Sequence, residues 1–175
     1  MPQGAEINRE LKSWLLELAQ EVPDRVSNMP SGRPFFDNKW LSHAQLHQSG
    51  KPQLDLLCEQ IEKSANRFYK VGSGDVALSV FSMWSIISRP GMSGKPHDHT
   101  GAVSCAYYVD VGTVGEESGG LLSFYLDGPD HPPTHRVVPK AGHIYLFPSS
   151  LFHSVSRYQG VEPRIVISAN LKKLP

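Results

Sequence analysis

A run of short segments with strand composition occupies residues 76–171, and turn signals rich in Gly and Pro separate them. The segments are rich in β-branched and aromatic residues, and the first is too continuous in apolar residues for an exposed helix. Many short strands at close spacing favour a sandwich or a jelly roll. The strands predicted from these patterns cover residues 76–88, 102–110, 121–126, 143–147 and 164–171.

Two amphipathic helices are predicted before the strands. Apolar residues recur at helical spacing over residues 7–22 and again over residues 54–68. The intervening residues 23–40 are rich in Pro, Gly, Ser and Asn and predict a covering loop. The 175-residue chain is therefore predicted to be a single α+β domain, in which residues 1–72 form helical support and residues 75–171 form the working part, a sandwich or a jelly roll.

The balance of charge and the cysteine content limit the classes of function. Lys plus Arg and Asp plus Glu both number 17, so there is no basic field for nucleic-acid phosphates or an anionic membrane surface. Two cysteines are too few for a disulfide framework, which predicts a reduced intracellular protein. No apolar stretch is long enough to span a bilayer, and the N-terminal residues do not resemble a signal peptide. We therefore expect a cytoplasmic protein without nucleic-acid or membrane partners.

The stretch "GKPHDHTGAVSCAYYVD" places two histidines directly before a predicted strand. In an extended chain, residues i and i+2 project to the same side, so the imidazoles of His97 and His99 can converge on one point. Such a pair supplies two ligands of a metal site and needs a third from elsewhere. His153 is the best candidate, since it follows the strand that ends at "FPSS" and starts the next polar turn. The other five histidines have no convergent partners in the sequence and are interpreted as surface or turn residues.

Two further side chains indicate a ligand pocket beside these histidines. Arg164 opens the last predicted strand, and an arginine that points inward from a strand requires an anion, for which a carboxylate matches the planar guanidinium. On the strand after the histidine pair, one face carries small residues followed by Tyr108. That face leaves room for a ligand and offers it a hydrogen-bond donor.

Three protein ligands leave coordination positions open, which is typical of non-haem Fe(II) oxygen chemistry. A bidentate 2-oxo acid would occupy two open positions, and O2 the third. Arg164 would then hold the far carboxylate of the acid.

The phrases "HDHTGAVSCAYYVD", "SGGLLSFY" and "KAGHIYLFPSSLFHSVSRYQGVEPRIVIS" occur in this order over most of residues 76–171. Together they resemble the Fe(II)- and 2-oxoglutarate-dependent dioxygenases, particularly the prolyl-hydroxylase-like branch and a group of small, uncharacterised oxygenases. The resemblance implies a double-stranded β-helix core. It also implies hydroxylation of a small-molecule, peptide or protein substrate. Fe(II) would be the cofactor, 2-oxoglutarate and O2 the cosubstrates, and succinate and CO2 the released products.

The resemblance carries over by position to six residues. They match a first and a last metal histidine, the basic residue that pairs with the distal carboxylate of 2-oxoglutarate, a tyrosine and a hydroxyl residue in the same pocket, and an apolar wall residue. In that order they are His97, His153, Arg164, Tyr108, Ser168 and Leu122.

One position departs from the usual pattern of the superfamily. The first metal motif usually reads HxD or HxE, whereas the third letter here is His99. Imidazole suits iron, so we predict that His97, His99 and His153 are the metal ligands. Asp98 is the alternative ligand. If it does not ligate, it is either a hydrogen-bond partner of an imidazole or solvated.

Two other functions remain open at the level of sequence. "GMSGKPHDH" also matches the opening of a cupin motif, which would make the chain a metal enzyme that does not use 2-oxoglutarate. The glutamate expected shortly afterwards is absent, because Val103 and Ser104 hold those positions, and a cupin has no need of Arg164. The second alternative is a binding module without catalysis on the same scaffold.

Overall fold

The computed structural model describes residues 2–24, 39–73 and 77–174. Within these residues, two helices, α1 (Pro2–Glu21) and α2 (Pro52–Ser73), precede most of the strands along the chain. A short 3-10 helix spans Leu46–Gln48. None of the described helices is both long and apolar enough to cross a membrane. The strands are β1 (Lys39–Leu41), β2 (Leu78–Ser88), β3 (Gly94–His97), β4 (Val103–Asp110), β5 (Leu122–Tyr125), β6 (His135–Val137), β7 (Ile144–Pro148), β8 (Phe152–Val155) and β9 (Arg164–Lys173).

The strands form two antiparallel sheets. The large sheet has the order β1-β2-β9-β4-β7, and the small sheet has the order β3-β8-β5-β6. From β2 to β5, and again from β6 to β9, the chain passes to the other sheet after each strand, which is jelly-roll connectivity. The prediction of an α+β protein with a jelly-roll core braced by N-terminal helices is confirmed.

Both helices pack on one face of the large sheet, where apolar side chains at helical spacing meet alternate residues of β4 and β9. Two polar contacts join α1 to β4. The Lys12 ammonium lies 2.6 Å from the Asp110 carboxylate, and the Tyr107 hydroxyl donates a hydrogen bond to Asn8. The buried members of this core include Leu11, Leu15, Leu54, Ile61, Val103, Tyr107, Ile165 and Ile167.

The opposite face of the large sheet points toward the small sheet. Ala106 and Tyr108 of β4 and Val166 of β9 lie on this face and line a cavity between the sheets. The alternation predicted for β4 is therefore correct: the larger residues pack under the helices, and the small residues with Tyr108 face the cavity.

The structure differs from the sequence predictions in its short strands. Most of the predicted covering loop, residues 25–38, lies outside the described residues, while Lys39–Leu41 forms β1 and pairs with β2. Strands β3, β6 and β8 were not predicted. Strand β8 corrects the position of His153, which was assigned to a polar turn but lies within a strand, paired with His97 of β3. Pairing between distant segments determines these strands, because none of them has the length or composition of an independent strand.

Candidate active site

Three histidines converge at one end of the cavity. His97 and His153 are cross-strand partners on β3 and β8, and His99 follows two residues after His97. One potential ligand nitrogen from each imidazole lies within 4.8 Å of the others, and the ring centroids are 4.4–5.0 Å apart. The backbone N–H of His99 donates to the carbonyl of Ser149 at 2.9 Å, which fixes the loop after β3 against the turn before β8. Asp98 is exposed and is not a member of the cluster.

Two of the imidazoles are held in a single tautomer by the backbone. Nδ1 of His97 lies 2.8 Å from the carbonyl oxygen of Lys95, and Nδ1 of His153 lies 3.1 Å from that of Leu151. A carbonyl oxygen can only accept a hydrogen bond, so Nδ1 must carry the proton in both rings. Nε2 then presents its lone pair, which is the arrangement that metal-bound histidines adopt.

Burial keeps two of the imidazoles uncharged. The pKa of His99 is lowered to about 4, mainly by desolvation and also by proximity to His97, while Asp98 opposes the shift. The pKa of His153 is also lowered to about 4 by the same two causes, with the hydrogen bond to Leu151 opposing them. At neutral pH both rings are therefore neutral, which is the form that binds a metal ion.

We expect the metal-free protein to lose stability as the pH falls from about 6.5 toward about 4. The folded-state pKa of His99 and His153 is below the ordinary histidine value of 6.5, so in this range the unfolded chain binds more protons and is favoured. The check is the urea midpoint at about pH 7 and about pH 5, compared with that of the double variant His99→Gln, His153→Gln. The variant should lose less stability on acidification. An equal loss of stability in both proteins would contradict the lowered pKa values of His99 and His153 as the cause.

At the other end of the cavity lies a buried cation without an anion. Arg164 is 1% exposed, and it makes no ion pair with any acidic group in the described part of the chain. Its Nη2 donates to the Tyr108 hydroxyl at 3.0 Å, and its Nε has no hydrogen-bond partner among the described residues. A buried, unpaired guanidinium is costly, so this end of the cavity is suited to an anionic group.

Tyr108 can contribute a donor beside this arginine. Its side chain is 1% exposed, and burial raises the pKa of the phenol although the charge of Arg164 acts in the opposite direction. The hydroxyl is therefore protonated at neutral pH. Since it accepts from Arg164, its own proton is available to an anion held by the guanidinium.

Gly120 lies close to the side chain of Arg164. It has a φ of +75°, and a Cβ placed on it would lie 2.9 Å from the Val114 side chain and 3.0 Å from the Tyr158 ring. The same position is 3.5 Å from Cδ of Arg164. Only glycine combines this backbone conformation with the close approach, so the "SGG" turn can pack closely beside the Arg164 side chain.

The cavity between the two ends has a volume of about 560 Å³, which is in the range of small-molecule sites. Its lining joins both sheets and contains every residue that the sequence singled out as a site residue. These are His97, His99, His153, Arg164, Tyr108, Ser168 and Leu122.

The structure adds lining residues to which the sequence assigned no role. Phe147 lies on β7 opposite Ser104, and its ring centroid is 4.7 Å from that of His153. Asn170 continues the inward face of β9, and its Oδ1 accepts a hydrogen bond from the Ser104 hydroxyl at 2.9 Å. Alternation along β9 was a usable signal for Asn170, whereas the contact of Phe147 depends on pairing between β4 and β7. Trp84 also lines the cavity, and its ring centroid is 5.4 Å from that of His99.

These residues match the chemical needs of Fe(II) and of a dicarboxylate. Three neutral imidazoles are suitable iron ligands and leave coordination positions open. The buried Nε of Arg164 is an unused donor at the far end of the same cavity, as a distal carboxylate requires.

Known proteins resemble this chain in sequence pattern and in fold. The family model described as "Putative 2OG-Fe(II) oxygenase" matches residues 82–170, slightly more than half of the chain. No curated protein sequence matches this chain.

Three solved structures illustrate the similarity in fold. A prolyl-4-hydroxylase from Pseudomonas putida is 18% identical with a TM-score of 0.65, and the match covers 98% of this chain and 88% of that one. A Trichoplax adhaerens prolyl hydroxylase, in complex with a hypoxia inducible factor peptide fragment, is 15% identical with a TM-score of 0.70, covering 97% and 78%. HygX from Streptomyces hygroscopicus, with nickel and 2-oxoglutarate bound, is 12% identical with a TM-score of 0.68, covering 97% and 79%.

At these identities the solved structures establish the fold, and the family model establishes the kind of enzyme. Fe(II), 2-oxoglutarate and O2 are the cofactor and cosubstrates of that kind of enzyme, as the resemblance implied. The chain therefore belongs to the 2OG-Fe(II) oxygenase family and is a 2-oxoglutarate-dependent non-haem iron oxygenase.

Proposed function

We propose that this oxygenase hydroxylates a small-molecule or peptide substrate, with the metal held by His97, His99 and His153 and the distal carboxylate of 2-oxoglutarate held by Arg164 and Tyr108. The observation that carries this proposal is the cavity itself, which has an imidazole cluster at one end and, at the other, a buried guanidinium without an acidic partner among the described residues. When bound, iron and 2-oxoglutarate supply the oxidising chemistry, in which the 2-oxo acid becomes succinate and CO2 as the substrate gains an oxygen atom.

The remaining lining residues position the cosubstrate and limit water. Ser168 lies between Trp84 and Ala106 in the large sheet and offers a hydroxyl to the middle of the cavity. Leu122 of the small sheet and Phe147 supply apolar walls. Apolar walls that exclude water from the metal site strengthen the charge interactions within the site and protect the reaction from solvent.

His99 is the proposed third ligand in preference to Asp98. Its ring belongs to the imidazole cluster, whereas Asp98 is exposed and lies outside that cluster. Three neutral ligands leave the full charge of Fe(II) in place, and the dianion of 2-oxoglutarate balances it. A carboxylate ligand would instead give the loaded site a net negative charge.

The deciding experiment measures succinate release from 2-oxoglutarate by the iron-loaded protein in air, without added substrate. We expect slow release that requires both Fe(II) and O2, since oxygenases of this kind turn over 2-oxoglutarate at a low rate on their own. Asp98→Asn should retain this release and iron affinity, whereas His99→Asn should lose iron affinity by at least about tenfold. If Asp98→Asn instead lost iron affinity and His99→Asn retained it, Asp98 would be the ligand. If the native protein released no succinate, the proposed function would be wrong.

Three finer statements belong to the same proposal. A peptide substrate is supported by the peptide bound to the Trichoplax adhaerens prolyl hydroxylase. A cytoplasmic location is supported by Cys58 and Cys105, which are free thiols, and burial raises the pKa of Cys58 to about 11. We also propose a single domain, in which the N-terminal helices support the jelly roll and do not form a separate unit.

The cupin alternative lacks support, because the matching family uses 2-oxoglutarate.

A further inference from the structure

Two buried polar atoms without partners lie on one pair of facing residues. In the described residues, the buried side-chain nitrogen and oxygen atoms that lack a hydrogen-bond partner are Nδ1 of His47, Oγ of Ser88 and Nε of Arg164. Ser88 ends β2 and is the direct cross-strand partner of Arg164, which begins β9. Both side chains are almost fully buried, with 0% and 1% exposure. Unpartnered buried polar groups are rare in folded proteins, so two on one residue pair indicate a missing common partner.

The register of the sheet places Ser88 beside Arg164, on the face of β2 that carries the cavity-lining residues. Alternate residues of β2, including Trp84 and Ile86, line the cavity, and Ser88 is the next residue in this alternation. Its neighbour on the other side is Lys39 of β1, which also lines the cavity. Ser88 therefore lies between Lys39 and Arg164 in the sheet, next to the buried guanidinium.

The shared partner must accept hydrogen bonds, because Nε of arginine can only donate. The β-carbons of directly opposed residues are about 4.5–5.5 Å apart, so a single carboxylate can contact both the Ser88 hydroxyl and the Arg164 side chain. Charge favours an anion over water at this position. Among the described residues, the charged side chains that line the cavity are Lys39, Lys95 and Arg164, with no Asp or Glu.

We propose that Ser88 donates a hydrogen bond to the distal carboxylate of 2-oxoglutarate, on the opposite side of Arg164 from Tyr108. The inference rests on the proposed binding of that carboxylate by Arg164, and it adds a residue that the sequence did not identify. Ser168, the hydroxyl residue implied by the resemblance, lies four residues along β9 from Arg164, about 13 Å at the rise of a strand. Ser88 is adjacent to Arg164, whereas Ser168 is paired with Trp84, whose ring contacts His99.

The test compares two ligands that differ only at the distal carboxylate. 2-Oxobutyrate has the 2-oxo acid group and carbon chain of 2-oxoglutarate but lacks its second carboxylate. Dissociation constants are measured on the nickel-loaded protein without O2, by calorimetry for 2-oxoglutarate and by displacement for 2-oxobutyrate. Ser88→Ala should weaken 2-oxoglutarate roughly tenfold, as expected for a hydrogen bond to a charged group, and should leave 2-oxobutyrate unchanged.

Ser85→Ala is the matched control on the same strand. Ser85 is also 0% exposed, but its hydroxyl donates to the carbonyl of Val166 at 3.2 Å and is therefore satisfied within the protein. We expect the control to keep the affinity ratio of the two ligands and to lower the melting temperature. Ser88→Ala removes an unpartnered hydroxyl, so the melting temperature of its ligand-free form should not fall.

The possible outcomes separate this inference from the proposed function. If the native nickel-loaded protein does not bind 2-oxoglutarate, both are overturned. If the native protein binds it and Ser88→Ala leaves the affinity ratio unchanged, only the role of Ser88 is overturned. An equal loss of affinity for both ligands would also overturn it, since that result indicates general damage to the cavity. Ser88→Cys, which replaces the hydroxyl with a slightly larger and weaker donor, should show an intermediate ratio.

Discussion

Replacing Arg164 with methionine is expected to weaken 2-oxoglutarate binding by roughly two to four orders of magnitude, because breaking a fully buried ion pair costs about 3–5 kcal/mol. The guanidinium is 1% exposed and has no acidic partner among the described residues, so its interaction with a carboxylate would be little screened by solvent. Methionine preserves much of the side-chain volume without the charge. The measurement is the dissociation constant of 2-oxoglutarate on the nickel-loaded protein without O2.

The stability of the same variant makes the prediction specific. A guanidinium that supported the fold would lower the melting temperature when removed, whereas an unpaired buried charge costs the ligand-free protein stability. We therefore expect Arg164→Met to keep the melting temperature close to the native value while losing 2-oxoglutarate. Arg136→Met, at an exposed position of β6, is the control and should alter neither quantity. Unchanged 2-oxoglutarate affinity in Arg164→Met would refute the anion-binding role.

Replacing His153 with alanine is expected to lower the affinity for Fe(II) by more than about a hundredfold. Losing a residue that only orients a metal ligand typically costs 10–100-fold, so losing the ligand itself should cost more. His153 is 7% exposed and forms the buried side of the imidazole cluster. The affinity is measured anaerobically by competition with a chromophoric chelator.

His143→Ala is a close control for this variant. Nδ1 of His143 also lies 3.1 Å from the carbonyl oxygen two residues before it, which is the same local hydrogen bond as in His153. His143 is exposed and does not belong to the cluster. It should therefore retain native iron affinity. If both variants lose iron affinity equally, the loss does not come from a ligand at position 153.

The residues of the site could be predicted from the sequence to different extents. The histidine pair and the inward arginine could be identified because strand periodicity and side-chain chemistry are local properties, and the structure brings both to one cavity. His153 was identified as a candidate but was placed in a turn. It lies in β8 because it pairs with β3, and the composition of four residues cannot show that pairing.

The sequence by itself determined the alternation of strand faces, the order of helices before strands, and the residue types that a metal and a carboxylate require. The tertiary structure alone decided that Ser88 faces Arg164, that Phe147 packs on His153, and that Asp98 lies outside the cluster. The physical reason is that periodicity follows from the geometry of one strand, whereas these neighbours arise from register and sheet packing between segments far apart in the chain.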